Sequence, residues 1–156
     1  MLKLNRTTEY GLIALRHLSQ REEGTASSAR EIADIYGLPF DILAKTLQRL
    51  KDSGMIQSAQ GARGGYKLQK SLDQVNLAEF LELMEGATGV VACADKQEHD
   101  VACEYQQRCQ IHGMMRGLNS RFKLFLSGIR LSEFTSHSKA EELVQLERHL
   151  GTKAIT

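Results

Sequence analysis

Three cysteines lie within seventeen residues of this chain, at positions 93, 103 and 109. Nine residues separate Cys93 from Cys103 and five separate Cys103 from Cys109, so the paired Cys-X-X-Cys units of a zinc finger are absent. An odd number of cysteines this close together fits a metal site in a reducing compartment better than a framework of disulfides. Thiolates bind zinc and iron–sulfur clusters alike, and free redox-active thiols are a third reading. The pattern therefore predicts a metal site without fixing the metal.

The rest of the 156-residue chain has the composition of a globular protein, with 42% hydrophobic and 25% charged residues. No apolar run approaches the roughly 20 residues that cross a bilayer and no secretory signal is visible, so we expect a cytoplasmic protein without a membrane partner. Residues 1–70 carry eleven Lys and Arg against seven Asp and Glu, whereas residues 71–112 carry two against eight. The basic first block favours a polyanion partner such as DNA, although a solvated basic face would have the same composition.

The basic block contains the pattern of a helix-turn-helix. Apolar residues recur at helical spacing over residues 7–20, which predicts a first helix. Ser28 followed by Glu31 has the form of a capping box and opens a second, short helix that Gly37 ends. Pro39 is suited to the first turn of a third helix, residues 39–53. The expected unit is helix, tight turn, helix.

A small β-hairpin is expected after these helices. Residues 55–58 and 66–68 have the composition of short strands, and the segment between them contains three glycines and Arg63. A flexible loop with one long cation is typical of a wing. The sequence thus predicts a mainly α fold with a small β-hairpin, a winged helix-turn-helix over residues 1–85 with its third helix in the major groove.

The second half of the chain divides into three further segments. Asn76 with Glu79 offers another helix start, and the helix should run to about residue 85. Residues 86–109 hold all the cysteines without a sustained period and are read as a sensor loop that a ligand orders. A long dimerisation helix is predicted over residues 110–135, ahead of a tail over 136–156. Its seam is spaced 3, 4, 3, 4 and consists of Met115, Leu118, Phe122, Phe125 and Ile129. Packing of this stripe on its own domain is the alternative.

Several ordered motifs resemble the IscR/NsrR family of bacterial transcription regulators over roughly residues 1–135. They are Tyr10-Gly11-Leu12, Ala29-Arg30-Glu31-Ile32-Ala33, Leu43-Ala44-Lys45, Leu47 with Leu50, and Gly61-Ala62-Arg63-Gly64-Gly65-Tyr66. The cysteine triad ahead of the long helix belongs to the same resemblance. It implies a homodimer that binds double-stranded promoter DNA and an iron–sulfur cluster whose occupancy controls that binding.

The resemblance also implies candidates for the fourth cluster ligand beside Cys93, Cys103 and Cys109. His112 follows Cys109 by three residues, as the histidine ligand does in the branch with a 2Fe-2S cluster. Glu9 stands where the other branch has an aspartate, a ligand donated across the dimer to a 4Fe-4S cluster. His99 is a weaker third candidate. Because the interval between the first two cysteines is longer than in the family, the cluster type stays open.

Candidate DNA contacts fall into three groups. Phosphate contacts are expected near helix starts from Arg6, Ser27, Ser28 and Arg30. Base contacts are expected from the outward face of the third helix, which comprises Asp41, Lys45, Thr46, Gln48 and Arg49. Lys45 is the preferred reader, whereas Asp41 is better explained as a first-turn helix charge. Arg63 resembles the family's wing arginine, which enters a narrow minor groove.

Other function classes fit the sequence less well. The chain lacks a Ser/His/Asp arrangement and paired catalytic carboxylates, and its glycine-rich loop lacks the Lys-Ser/Thr ending of a P-loop, so we expect no enzyme. A regulator that senses thiol chemistry or a metabolite without a cluster is the main alternative. A protein-binding module is the third.

Overall fold

A computed structural model describes residues 3–22, 24–61, 64–86, 89 and 108–134 of the chain. The elements within these residues are α1 (Arg6–Ser19), α2 (Ala29–Tyr36), α3 (Phe40–Asp52), β1 (Ile56–Ala59), β2 (Gly65–Leu68), α4 (Leu77–Glu85) and α5 (His112–Ser127). The predicted fold class, mainly α with one small antiparallel hairpin, is confirmed. No helix in the described ranges combines the length and apolar character that a membrane span requires.

Helix α1 begins where Asn5 caps it. The Asn5 side chain accepts a hydrogen bond from the Thr8 amide at 2.8 Å, which satisfies one of the free N–H groups of the first turn. The helix then buries Ala14, Leu15 and Leu18 on one face. The predicted helix, residues 7–20, is therefore confirmed to within one residue at each end.

The turn between α2 and α3 is formed by Gly37 and Pro39. Gly37 adopts a left-handed conformation, with φ 63°, which a glycine tolerates at the end of a helix. Pro39 has extended backbone and occupies the N-cap position, one residue earlier than the predicted place in the first turn. The capping box predicted for α2 is half formed: Ser28 accepts from the Glu31 amide at 3.0 Å, while the Glu31 carboxylate pairs with Arg21.

The β-hairpin pairs Ile56 with Leu68 and Ala59 with Gly65. Tyr66 of its second strand also exchanges two backbone hydrogen bonds with Ser27. The Tyr66 amide donates to the Ser27 carbonyl at 2.8 Å, and the Ser27 amide donates to the Tyr66 carbonyl at 3.0 Å. A Cβ on Gly65 would lie 2.4 Å from the Ser27 carbonyl oxygen, so only glycine permits this approach. The wing is thereby attached to the segment that leads into α2.

The helix start predicted at Asn76 with Glu79 is confirmed, and the structure shows it to be a capping box with both hydrogen bonds formed. Helix α5 is shorter than the predicted 110–135, because the chain turns at Gly128 and returns along the segment before α4. The Leu77 amide donates to the Ile129 carbonyl at 2.8 Å. A separate 3₁₀ turn, Leu131–Phe134, follows.

One hydrophobic core joins α1, α3, α4, the hairpin and the inner face of α5. Phe80 of α4 is its largest fully buried side chain and lies against Gly11 of α1, where an added Cβ would approach the ring to 3.1 Å. Leu126 of α5 and Leu131 of the 3₁₀ turn belong to the same buried cluster. The helix-turn-helix, the hairpin and the second half of α5 are thus packed as one unit.

Candidate functional site

Helix α3 separates an apolar face from a polar face. Its buried side is formed by Leu43, Thr46, Leu47 and Leu50. The prediction that Thr46 faces outward is wrong, because position 46 falls on the same side of the helix as these leucines. Its hydroxyl donates to the Ile42 carbonyl at 2.8 Å instead of reaching solvent.

The exposed side of α3 carries Asp41, Lys45 and Gln48 in successive turns. Gln48 donates to Asp52 at 2.6 Å, and Lys45 extends from the middle of the face. Arg49 lies at the edge of this face, where its guanidinium donates to the Met84 carbonyl at the end of α4, 3.1 Å away. Because this partner is 35 residues away along the chain, helical periodicity does not indicate it.

The candidate phosphate contacts differ in how far they are available. Arg6 is exposed and forms an ion pair with Glu9 at 3.1 Å. The Ser28 hydroxyl serves as the cap of α2. Arg30 is exposed and stacks on an aromatic ring. Ser27, by contrast, is 0% exposed, so in this conformation its side chain does not face a phosphate.

Ser27 instead belongs to a buried polar network that the sequence analysis did not find. Its hydroxyl lies 3.0 Å from Nε2 of His17 and accepts from Nε of Arg21 at 2.9 Å. The other ring nitrogen of His17 is 3.2 Å from the Tyr36 hydroxyl. Burial, reinforced by the charge of Arg21, lowers the pKa of His17 below its ordinary value. The neutral imidazole thus joins α1, α2 and the segment bound to the wing. The sequence did contain a signal for the burial of His17, because it follows Ala14 by three residues and so lies on the apolar side of the predicted first helix.

The base of the wing requires its glycines. Gly61 has φ 118°, and a Cβ on Gly64 would lie 2.8 Å from the Ala59 carbonyl oxygen. Between β1 and β2, Gly61 is therefore required for its backbone angle and Gly64 for its close approach to the strand. Arg63, the predicted minor-groove residue, lies outside the described residues.

The sensor candidates are only partly within the described residues. Cys93, His99 and Cys103 lie outside them. Cys109 is a half-buried free thiol just before α5, and His112 is the first residue of that helix. Within the described ranges the Nδ1 atom of His112 is buried and has no hydrogen-bond partner. Buried polar atoms normally have partners, so this nitrogen fits a metal ligand, and the Cys109 thiol three positions earlier is a second donor of the type a metal takes.

Glu9, the alternative ligand, lies in the first turn of α1. The Asn5 amide donates to the Glu85 carboxylate at 2.9 Å, which holds the start of α1 against the point where the sensor segment begins. The Glu9 carboxylate already accepts from Arg6. Among the described residues no three His, Cys, Asp or Glu side chains converge on one point.

An apolar stripe runs along the outer side of α5, and we name it the α5 stripe. It includes Met114, 68% exposed, and Phe125, 65% exposed, and consists of Ile111, Met114, Leu118 and Phe125. The predicted seam shared only Leu118 and Phe125 with it. Its other members, Met115, Phe122 and Ile129, are half-buried. The α5 stripe is therefore rotated around the helix axis relative to the predicted seam, so that Met114 is exposed where Met115 was predicted to be.

Comparisons with known proteins match nearly the whole described fold. A family model with the description "Rrf2: Iron-dependent Transcriptional regulator" matches residues 4–137. The regulator NsrR of Shouchella clausii is 26% identical over 114 residues, covering 73% of this chain and 75% of the relative. The regulator IscR of Cronobacter sakazakii is 23% identical over 156 residues, covering 98% and 94%.

A solved structure has the same fold. CymR, the global cysteine regulator of B. subtilis, superposes with a TM-score of 0.66 at 22% sequence identity. The similarity covers 88% of this chain and 98% of that one. The arrangement of helices and hairpin described above is therefore a winged-helix architecture found in solved transcription regulators.

Proposed function

The chain belongs to the Rrf2 family of transcriptional regulators, and from this premise we propose that it is a homodimer whose binding to promoter DNA is controlled by an iron–sulfur cluster. Its relatives are regulators rather than enzymes, and the family implies DNA binding. The observation that carries the cluster assignment is the buried Nδ1 of His112, which has no hydrogen-bond partner among the described residues and stands three positions after the half-buried Cys109. Both stand at the start of α5, the helix with the α5 stripe.

The DNA-binding surface in this proposal is the polar face of α3, with the helix starts and the wing around it. A recognition helix of this class lies in the major groove, where Lys45 and Gln48 would reach base edges. Arg6, Ser28 and Arg30 are candidates for the phosphates, and Arg63 is proposed for the minor groove. Arg49 is the weaker candidate, since its guanidinium already binds the Met84 carbonyl.

The dimer in this proposal forms through the α5 stripe. Large apolar side chains exposed in a row at helical spacing indicate a surface that a partner covers. Spacings of 3, 4 and 7 between Ile111, Met114, Leu118 and Phe125 match the seam of paired helices. A two-fold axis along this seam would present two α3 helices to successive major grooves.

The proposed ligands are Cys93, Cys103 and Cys109 with His112 as the fourth. His112 is preferred to Glu9 because its buried nitrogen lacks a partner within the described part of the chain, whereas Glu9 is paired with Arg6. A nitrogen ligand among thiolates is displaced more easily than a thiolate, which suits a sensor of iron supply, oxidants or nitric oxide.

Control of DNA binding requires a physical path from the sensor segment to α3. The segment starts directly after α4, and Arg49 of α3 is hydrogen-bonded to the last turn of α4. Ordering of the segment between the two protomers would favour one geometry of the dimer. The shift in DNA affinity is limited by the difference in free energy between the two geometries.

Anaerobic purification with iron and sulfide counts tests this proposal. The wild type should show visible absorbance with stoichiometric iron and sulfide, and His112→Ala should change that spectrum. Glu9→Ala should leave it unchanged, because in the proposal this carboxylate is not a ligand. Gln110→Ala, an exposed neighbour, is the matched control for His112, and Glu22→Ala is the control for Glu9.

Two results would contradict parts of the proposal. Loss of the spectrum in Glu9→Ala with a normal spectrum in His112→Ala would transfer the fourth ligand to Glu9. A colourless wild-type protein after anaerobic reconstitution, with intact binding to DNA, would replace the cluster by thiol or metabolite sensing.

A further inference from the structure

The guanidinium of Arg30 lies over the ring of Phe40, with its carbon 4.2 Å from the ring centroid. Arg30 is an exposed residue in the first turn of α2. Phe40 is the first residue of α3, half-buried and packed against the core. The ring therefore fixes a mobile cationic side chain to the start of the recognition helix.

No hydrogen bond or ion pair to another described residue occupies the Arg30 guanidinium in this position. In the part of the chain that the structure describes, no carboxylate pairs with Arg30, and the adjacent Glu31 is taken by Arg21. Stacking uses the face of a guanidinium, whereas hydrogen bonding to phosphate uses the N–H groups at its edge. The two interactions are compatible, so a stacked arginine can still bind a phosphate through two parallel hydrogen bonds.

The stacked pair of Arg30 and Phe40 lies at the start of α3, the proposed recognition helix. In a helix-turn-helix the start of the recognition helix is the part that enters the groove, and the flanking backbone phosphates lie beside it. We propose that Phe40 is a positioning residue that holds the Arg30 guanidinium toward a DNA phosphate at the start of α3. This inference rests on the proposed function, since it requires that Arg30 contacts DNA.

The energetic reason is the conformational freedom of arginine. A free arginine side chain loses many rotamers when it binds, and that loss weakens the contact. A side chain already stacked on a fixed ring has lost much of this freedom before DNA arrives. Leucine at position 40 would fill much of the same apolar space but offers no π face.

A double-mutant cycle on a duplex of arbitrary sequence, about three helical turns long, tests the inference. Phosphate contacts do not depend on sequence, so the operator is not needed. Phe40→Leu should weaken binding of the dimer to DNA about tenfold, because each of the two protomers loses the stacking that holds its Arg30 toward a phosphate. In an Arg30→Ala background the same substitution should have less than a twofold effect, and Phe40→Tyr should bind like the wild type.

The salt dependence of binding separates the two assumptions. Arg30→Ala should lower the slope of log affinity against log salt by about two for the dimer. If this slope and the affinity stay unchanged, Arg30 is no phosphate contact, and both its assignment and the positioning role fall. If Arg30→Ala has the expected effect but Phe40→Leu weakens binding equally in both backgrounds, only the positioning role falls.

A measurement on the free protein removes the ambiguity of a folding defect. The Nε–H proton of Arg30 should be shifted upfield by the ring current of Phe40 in the NMR spectrum. The shift should persist in Phe40→Tyr and disappear in Phe40→Leu. An ordinary shift in the wild type would overturn the stacking and with it the positioning role.

Discussion

Helices α3 and α5 each bury one face in the same core, yet they leave opposite kinds of surface exposed. The outer face of α3 carries Lys45 and Gln48, whereas that of α5 carries Met114 and Phe125. A polar, hydrogen-bonding face suits a hydrated polyanion, and an apolar stripe suits a surface that excludes water. The comparison shows that a buried face determines the fold, while the face left outside determines the partner.

The strongest test of this contrast is a charge in the α5 stripe. Phe125→Asp should raise the dissociation constant of the dimer by about a hundredfold or more, because two carboxylates would be buried across a two-fold interface. Sedimentation velocity over a concentration series measures the change. The helical content should remain, because Phe125 is mostly exposed and does not belong to the core.

Ser120→Asp is the matched control for this substitution. Ser120 is exposed on the same helix but outside the α5 stripe, so the same new charge should leave the dimer intact. Equal dissociation constants for Phe125→Asp and the wild type would show that this stripe is not the interface.

A substitution on α3 should have a smaller effect and a different signature. Lys45→Ala should weaken binding to promoter DNA by about 1 to 3 kcal/mol and leave the dimer unchanged. Fluorescence anisotropy at several salt concentrations checks this. Lys51→Ala removes the same charge from the last turn of α3, away from the start that we propose enters the groove, and should have less effect. Equal losses for both lysines would mean that only net charge matters.

Local signals explain why so much of the DNA-binding unit could be predicted. The caps at Ser28 and Asn76 act through residues three positions away, and Gly37 with Pro39 breaks the helix by backbone geometry alone. Each of these signals is contained in a few consecutive residues. The α2–turn–α3 unit therefore follows from the sequence without knowledge of the tertiary contacts.

The features that sequence reasoning missed depend on distant partners. In α5 the seams Met115 with Phe122 and Leu118 with Phe125 have the same spacing, and only packing on α4 decides which one is buried. The hydrogen bond of Arg49 was missed because its partner, the Met84 carbonyl, is 35 residues away along the chain. Periodicity gives the orientation of a helix face but not which neighbour covers it.

The smallest expected effect is the loss of folding stability in acid that the His17 network causes. This loss should leave the α5 stripe and its dimer unaffected. Because burial lowers the pKa of His17 in the folded protein, the unfolded chain takes up its proton first as the pH falls. The contribution of His17 to the free energy of unfolding is full above pH 6.5, the ordinary pKa of histidine. It is lost as the pH falls from there toward the pKa of His17 in the folded protein. Urea unfolding between about pH 7.5 and 5 measures the loss, which His17→Gln should reduce. The network joins α1, α2 and the segment bound to the wing, and it does not include α5. The dissociation constant of the dimer should therefore not change with the protonation of His17. Wild type and His17→Gln losing stability in parallel would assign the acid sensitivity to other groups.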